Sequence, residues 1–167
     1  MELMQALQER RSIRRYKDTP VSDDDLKTIF EAARWAPSWA NTQCWRFVVV
    51  RDPQIKGMIA QAIREAPLVI VACAKLGRSG YIWREKVSDK GDYWFMFDIA
   101  LAMQNLTLAA HSLGLGTVHV GWFDAGKIAE ILEVPEGMVV VEITPLGYPD
   151  EQPRAPRRKK LSEFVFY

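Results

Sequence analysis

The feature that most constrains the fold is a helix candidate, residues 95–113, that is apolar on every side. Large apolar side chains point in all directions around its axis, and alanines fill the positions between them. The large side chains are Phe95, Met96, Phe97, Ile99, Leu101, Met103, Leu106, Leu108 and Leu113. Such a helix must be covered all round, which is hard to arrange inside one chain of 167 residues. We therefore expect a second copy of the chain to cover part of it.

The other segments alternate between strand-like and helix-like patterns. The run LVIVACAK at 68–75 is apolar throughout, which is typical of a central strand buried on both faces. Ser22 and Asp25 form a capping-box pattern, and Gly114 is expected to end the apolar helix. Further strands are predicted at 45–51, 117–122 and 138–144, and further helices at 2–9, 22–36, 53–67 and 124–133. This alternation favours an α/β or α+β class with helices on both sides of a sheet, in one domain spanning residues 1–167.

Composition excludes several classes of protein. A hydrophobic fraction of 49% with a net charge of only +1 excludes a mainly disordered chain. No apolar run reaches the roughly 18 residues of a membrane span, so no membrane partner is expected. The charged N-terminal region lacks the apolar run of a signal peptide, so the expected location is cytoplasmic. Cys44, Cys73, His111 and His119 have no metal-site spacing, so no metal is expected.

The charges are strongly segregated along the chain. Cations cluster at 10–17 and at 154–160, while the body between them is acidic. Each cluster alone is compatible with a solvated terminus. Nucleic-acid binding is not favoured, because the chain is nearly neutral and its aromatic residues are not interleaved with the basic ones. The other alternative is that both ends meet around one anion, since arginine binds phosphate bidentately and Ser12 adds a hydroxyl.

Two further segments stand outside the regular patterns. Residues 76–94 contain three glycines and four large aromatic residues, and a connection of this length is usually functional or mobile. Its aromatic side chains either line a binding site or pack onto the surface. The C-terminal segment LSEFVFY, residues 161–167, is apolar and is predicted to be extended. Such a tail pairs best with a sheet edge, which a second subunit can supply.

Four motifs carry a resemblance that spans nearly the whole chain. They are RRSIR at 10–14, PSWANTQCWRF at 37–47, GLGT at 114–117 with GWFD at 121–124, and GYP at 147–149 with PRRKKL at 156–161. In order and spacing they resemble the nitroreductase family of FMN enzymes. Cys44 replaces the proline that is usual in the second motif, which removes a fixed φ from that segment.

The resemblance implies an α+β fold with a central, mostly antiparallel β-sheet flanked by helices. It also implies an obligate, intertwined homodimer in which the C-terminal strand is exchanged and FMN lies at the interface. Arg10, Ser12 and the backbone of Arg11 would hold the FMN phosphate and ribityl chain. Arg158 and Lys160 would close on the phosphate.

The resemblance also assigns residues to the flavin ring. Arg14 would reach the pyrimidine edge, where a cation stabilises the negative charge of the reduced flavin. The ring would be lined from the other subunit by Pro37, Ser38, Trp39, Asn41 and Gln43. The backbone of Val120, Gly121 and Trp122 would lie against it, and a side chain at Gly121 would crowd the hydride path.

The implied activity is the transfer of electrons from NADH or NADPH, through FMN, to a small-molecule acceptor such as a nitroaromatic or a quinone. The electron donor and the acceptor would use the same face of the flavin ring in turn. This is a ping-pong hydride mechanism with no catalytic side chain. Trp83 and Trp94 are candidates for substrate contact. The alternative is an FMN-binding protein of the same fold with a specialised dehydrogenase or non-catalytic role.

Overall fold

The centre of the fold is an antiparallel sheet. The computed structural model describes residues 1–59, 65–83 and 85–167. The strands are β1 (Trp45–Val50), β2 (Leu68–Lys75), β3 (Tyr81–Ile82), β4 (Glu85–Lys86), β5 (Gly116–Thr117) and β6 (Met138–Gly147). The main sheet has four strands in the order β1-β2-β6-β5, each antiparallel to its neighbours. The apolar run at 68–75 is confirmed as a central strand between β1 and β6, buried from Leu68 to Ala74.

Helices cover both faces of this sheet. They are α1 (Leu3–Glu9), α2 (Asp23–Arg34), α3 (Pro53–Ile59), α4 (Trp94–Ser112) and α5 (Ala125–Ile131). Because side chains alternate along β2, Leu68 and Ile70 join a core cluster with α2 and α4. Val69 and Val71 join a second cluster that includes residues of α3 and α5. The α+β prediction with an antiparallel sheet is confirmed, while the part of the predicted third helix at 60–64 lies outside the described residues.

Helix α4 begins and ends close to the predicted positions. At its C-terminus the Gly114 N–H donates to His111 O (3.0 Å) and the Leu115 N–H to Ala110 O (2.9 Å), with Gly114 at φ +77°. This is a Schellman ending, which requires a left-handed residue and so favours glycine. None of the helices in the described ranges is long and apolar enough to cross a membrane.

The single chain does not cover α4 on all sides, as the sequence predicts for so small a chain. One face packs on α2 and on the sheet, so that Ile99 and Leu106 are fully buried. The opposite face keeps Met96 and Phe97 about half exposed, at 47% and 54%. Among the residues that the structure describes, this face of α4 therefore stays exposed in the single chain.

Three other predictions differ from the structure. The strand predicted at 117–122 is reduced to β5 and one bridge from Val120 to Ile143, because among the described residues of this segment only these pair with β6 as strand partners. Residues 76–94 are not without structure, since β3 and β4 pair as a hairpin and Gly91–Tyr93 form a 3₁₀ turn. The tail is not fully extended, because Leu161–Glu163 form a 3₁₀ turn in which the Lys160 N–H donates to the Glu163 carboxylate (2.8 Å).

The segment after α1 lies along the sheet edge. The Ile13 N–H donates to Thr117 O (2.9 Å), and the Lys17 N–H donates to Tyr148 O (2.9 Å). A Cβ at Gly116 would lie only 2.7 Å from the side chain of Ile13, so glycine is needed for this close approach. These contacts fix the N-terminal basic segment next to the segment that follows β6.

Glu151 also holds the N-terminal basic segment next to the segment that follows β6. Its carboxylate accepts hydrogen bonds from the backbone N–H groups of Arg14 (2.5 Å) and Arg15 (3.1 Å). The hydrogen bond from Arg14 is the main reason why the pKa of Glu151 lies below its usual value, and the bond from Arg15 adds to it. The ionised carboxylate therefore holds the N-terminal basic segment in place.

We expect Glu151→Gln to lower the melting temperature at pH 7, because an amide oxygen accepts weaker hydrogen bonds than a carboxylate. Since the pKa of Glu151 is lowered in the folded state, the higher melting temperature of the wild-type protein is fully present above the unfolded pKa of about 4.3. It is lost as the pH falls through the lower folded value. Thermal unfolding of both proteins between pH 7 and pH 3 measures this, with Glu130→Gln on the exposed face of α5 as the control. A melting-temperature gap that is equal at both ends of the range would contradict the account.

Candidate functional site

The two basic clusters of the sequence meet at one pocket of about 350 Å³. The lining residues are Arg10, Arg11, Ser12, Arg14, Pro153, Arg154, Pro156 and Arg158. The first four come from the segment after α1, and the others come from the segment after β6. Of the two alternatives for the basic clusters, this placement supports a shared anion site over two separate solvated termini.

Arg10 shows most directly that the pocket suits an anion. Its Nη1 atom is buried and has no hydrogen-bond partner among the described residues. Burial is the main cause that lowers the pKa of Arg10, and the nearby cations Arg158 and Arg11 lower it further. A phosphate group would give Nη1 an acceptor and would relieve the repulsion between these guanidinium groups. The residues present therefore fit the phosphate of FMN.

A larger pocket of about 850 Å³ adjoins the basic one and shares Arg10, Arg11 and Pro153 with it. It extends along Gly114 to Thr117, and its volume is typical of small-molecule sites, about 300–1,000 Å³. His111 also lines it, with a buried Nε2 atom that has no partner among the described residues. Burial is the main cause that lowers the pKa of His111, which favours the neutral ring.

The structure does not bring every predicted phosphate residue to the pocket. Lys160 is not part of its lining and instead begins the 3₁₀ turn of the tail. Arg154 lines the pocket although the resemblance assigns it no role. Arg14 lines it as well, whereas the resemblance directs its side chain to the pyrimidine edge. Its position in the C-terminal basic cluster was the sequence feature that could have identified Arg154 as a residue of this pocket.

The predicted ring-lining residues at 37–43 form an exposed and strained loop. Ala40 (φ 44°), Asn41 (φ 55°) and Gln43 (φ 45°) all have left-handed backbone conformations. For residues other than glycine this costs about 1–3 kcal/mol each, so neighbouring contacts must hold the conformation. Within the loop, the Gln43 N–H donates to Ser38 Oγ (3.0 Å). No residue of the loop lines the basic pocket or the larger pocket that adjoins it.

A buried carboxylate lies beneath this loop. Asp98 of α4 is fully buried and accepts hydrogen bonds from the Trp39 N–H (2.8 Å) and the Ser79 hydroxyl (2.5 Å). The Thr42 hydroxyl (3.3 Å) and the Cys44 thiol (3.7 Å) also donate to it. Sequence reasoning missed Asp98, although an acidic residue inside an otherwise apolar helix was a visible signal.

The predicted flavin segment at 120–122 begins at the edge of the sheet, where Val120 bridges to Ile143 of β6. The Val120 N–H donates to Ile143 O (3.0 Å), and the Trp122 side chain is 99% exposed. A Cβ at Gly121 would meet nothing within 4 Å, so packing inside the chain does not require glycine here.

The two tryptophans predicted to contact substrate differ in their surroundings. Trp83 lies between β3 and β4 with a left-handed φ of 51°, and its side chain is 93% exposed. The Trp94 indole N–H donates to Ser88 Oγ (2.8 Å), and its ring meets Phe97 edge-on at 5.5 Å. Trp94 therefore packs within the chain, and Trp83 is the one that is free to contact a ligand.

Comparisons with known proteins agree with this fold. The model of the Nitroreductase family matches residues 7–81 and 52–148. The chain is 30% identical over 188 residues to an NADH dehydrogenase of Thermus thermophilus, covering 95% of this chain and 92% of the relative.

Solved structures are also similar to this chain in fold and in sequence. An NADPH:FMN oxidoreductase from Vibrio harveyi, complexed with NAD⁺, has a TM-score of 0.87 and 28% identity, covering 98% of this chain and 76% of that one. An FMN-dependent nitroreductase from Clostridium difficile R20291 has a TM-score of 0.82 and 30% identity, covering 98% of both chains. With the family model matching most of its length, the chain belongs to the nitroreductase family.

Proposed function

We propose that this chain is an NAD(P)H-dependent FMN oxidoreductase that passes electrons to nitroaromatic, quinone or related electrophilic small molecules. The observation that carries this proposal is the basic pocket, in which a buried Arg10 Nη1 atom lacks an acceptor. When bound, FMN supplies the redox chemistry, since its ring takes a hydride from the nicotinamide and gives electrons to the acceptor. The protein contributes binding, orientation and electrostatics.

The phosphate end of the cofactor is assigned to the basic pocket. Five arginines line it: Arg10, Arg11, Arg14, Arg154 and Arg158. Their guanidinium groups suit a phosphate dianion, and the Ser12 hydroxyl adds a neutral donor. Lys160 would join them only if the tail moves from the position it has in the single chain.

The ring end is assigned to residues that the single chain leaves open. Gly121 has free space where a Cβ would be, so a planar ring can approach its backbone. Residues 37–43 line neither the basic pocket nor the larger adjoining pocket of their own chain. This supports the proposal that they contact the flavin held by a second chain. The phosphate end and the ring end of FMN would then be bound by different segments of the chain.

We further propose an obligate homodimer with FMN at the interface and the C-terminal segment exchanged. The single chain exposes Met96 and Phe97 on α4, and it exposes Phe164, Phe166 and Tyr167 in the tail. Exposed apolar surface of this extent is typical of a protein interface. A second copy would cover both features in a symmetric arrangement.

Deletion of residues 161–167 is expected to convert the dimer into monomers and to release the flavin, because the exchanged segment would then be missing. Light scattering during gel filtration measures the mass, and absorbance near the flavin bands measures the loading. Trp35→Ala, which removes an exposed aromatic ring at the end of α2, serves as the control and should stay dimeric. A truncated chain that remains a flavin-loaded dimer, or that becomes a flavin-loaded monomer, would refute the exchange.

The acceptor would lie against the exposed face of the flavin, near the hairpin that carries Trp83. A free indole at this position can stack on a planar acceptor, with a contribution of roughly 0.5–1.5 kcal/mol. Trp94 would act through Phe97 and Ser88, by holding the start of α4 against the hairpin.

The proposed activity is tested by following NADH and NADPH oxidation with nitrofurazone, with menadione and without an acceptor. We expect acceptor-dependent oxidation, with parallel double-reciprocal lines because donor and acceptor use one site in turn. A flavin-loaded protein that neither nicotinamide reduces would contradict the proposal and would favour a non-catalytic flavin-binding role.

Arg10→Ala is expected to raise the dissociation constant of FMN by about 10- to 100-fold, the effect of about 1.5–3 kcal/mol from a hydrogen bond to a charged group. The dissociation constant of riboflavin, which lacks the phosphate, should stay within about twofold. Isothermal titration of the flavin-free protein measures both. Arg157→Ala removes the same charge from a residue outside the pocket lining and is the matched control. Equal weakening of FMN and riboflavin by Arg10→Ala would place the phosphate elsewhere.

A further inference from the structure

We propose that Asp98 is a positioning residue that holds residues 38–44 in the conformation that contacts the flavin ring. The inference rests on the proposed function, because it takes this loop to be the wall of a flavin site. Asp98 itself is fully buried and reaches the site only through the groups bonded to it.

The Asp98 carboxylate ties three separate parts of the chain together. Oδ1 accepts the Trp39 N–H (2.8 Å) at the start of the loop. Oδ2 accepts the hydroxyl of Ser79 (2.5 Å), which belongs to the segment before the hairpin. The Thr42 hydroxyl lies 3.3 Å from Oδ2 and 2.8 Å from Ser79 Oγ, so the loop and the hairpin segment also contact each other.

The two acceptor oxygens of Asp98 matter as well as its shape. Three donors converge on Oδ2, namely the hydroxyls of Ser79 and Thr42 and the thiol of Cys44. An ionised carboxylate only accepts hydrogen bonds, whereas an asparagine at this position has one oxygen and one NH₂ group. One orientation of that amide sets its NH₂ group against the Trp39 N–H, and the other requires the Ser79 and Thr42 hydroxyls to turn from donors into acceptors. Asp98→Asn thus keeps the volume and weakens the match.

The loop needs such an anchor because its backbone is strained. Ala40, Asn41 and Gln43 have left-handed conformations, which persist only where neighbouring contacts enforce them. The Asp98 contacts at Trp39 and Thr42 lie on both sides of the first two of these residues. Without them the loop can relax, and the side chains that it presents would leave their positions.

The contacts of Asp98 differ from those of a buried polar residue that serves only the helix. Thr107, also fully buried in α4, donates within the helix to Gln104 O (3.1 Å). Asp98 instead bonds to a loop whose residues Ala40, Asn41 and Gln43 are exposed. Its contacts therefore order an exposed segment, which is the expected arrangement for support of a binding surface.

The test compares ligands that report on the two ends of the site. Riboflavin reports on the ring end, inorganic phosphate reports on the basic pocket, and FMN reports on both. Asp98→Asn should raise the dissociation constants of riboflavin and FMN by the same factor, about tenfold for a lost hydrogen bond to a charged group. The dissociation constant of inorganic phosphate, measured by competition with FMN, should stay within about twofold of the wild-type value.

Thr107→Val is the matched control, since it also removes a buried polar group from α4. It should lower the melting temperature without changing the ratio of riboflavin to phosphate affinity. If Asp98→Asn does not fold, Ser79→Ala and Thr42→Val each remove one donor and should weaken riboflavin about threefold.

Riboflavin affinity that is unchanged in the folded Asp98, Ser79 and Thr42 variants would overturn the inference. Riboflavin and phosphate affinities that fall together with the melting temperature would also overturn it, because Asp98 would then serve stability alone. A wild-type chain that binds neither FMN nor riboflavin would overturn the proposed function, and the inference with it. Loss of riboflavin affinity alone, in variants that keep phosphate, supports both.

Discussion

The crowding of arginines at one pocket is the constraint on which the rest of the site depends. Guanidinium groups stay charged in proteins, so Arg10, Arg11 and Arg158 repel one another when the fold brings the two basic clusters together. The fold nevertheless brings them together, by pairing Ile13 with Thr117 and Lys17 with Tyr148. A bound anion would convert this repulsion into charge-assisted hydrogen bonds.

Two carboxylates support the site from opposite ends. Glu151 accepts the backbone N–H groups of Arg14 and Arg15 and so fixes the phosphate end. Asp98 accepts the Trp39 backbone N–H and three side-chain donors and so fixes the loop assigned to the ring. In both places an acidic group binds the backbone of the segment that carries the site residues. In the proposed site, the side chains that would face the cofactor are left free to bind it, and their positions are set by rigid neighbours.

Local patterns predicted the elements whose structure depends on local chemistry. The apolar run at 68–75 is typical of a strand buried on both faces, and it is the central strand β2. Ser22 accepts the Asp25 N–H (3.0 Å) at the start of α2, and Gly114 ends α4, as their residue types indicate. The meeting of the two basic clusters was one of the alternatives that arginine chemistry left open, and the inclusion of Arg154 and not Lys160 depends on how the last residues turn.

The remaining features depend on partners that are distant in sequence. The strand predicted at 117–122 is short because β6 pairs with only part of it. The role of Asp98 becomes visible only when Trp39, Thr42 and Ser79 are brought to it by the fold. The apolar pattern of α4 indicated that one chain would not cover it, but that Met96 and Phe97 are the residues left exposed depends on how α2 and the sheet pack against the helix.

The central claim is that each chain holds one FMN through its phosphate. The most direct measurement is to denature the flavin-saturated, gel-filtered protein, to identify the released flavin by chromatography and to count it against the protein concentration. The account predicts FMN at one equivalent per chain and no FAD, because the basic pocket receives a terminal phosphate. Release of FAD, or absence of any flavin after reconstitution, would contradict it.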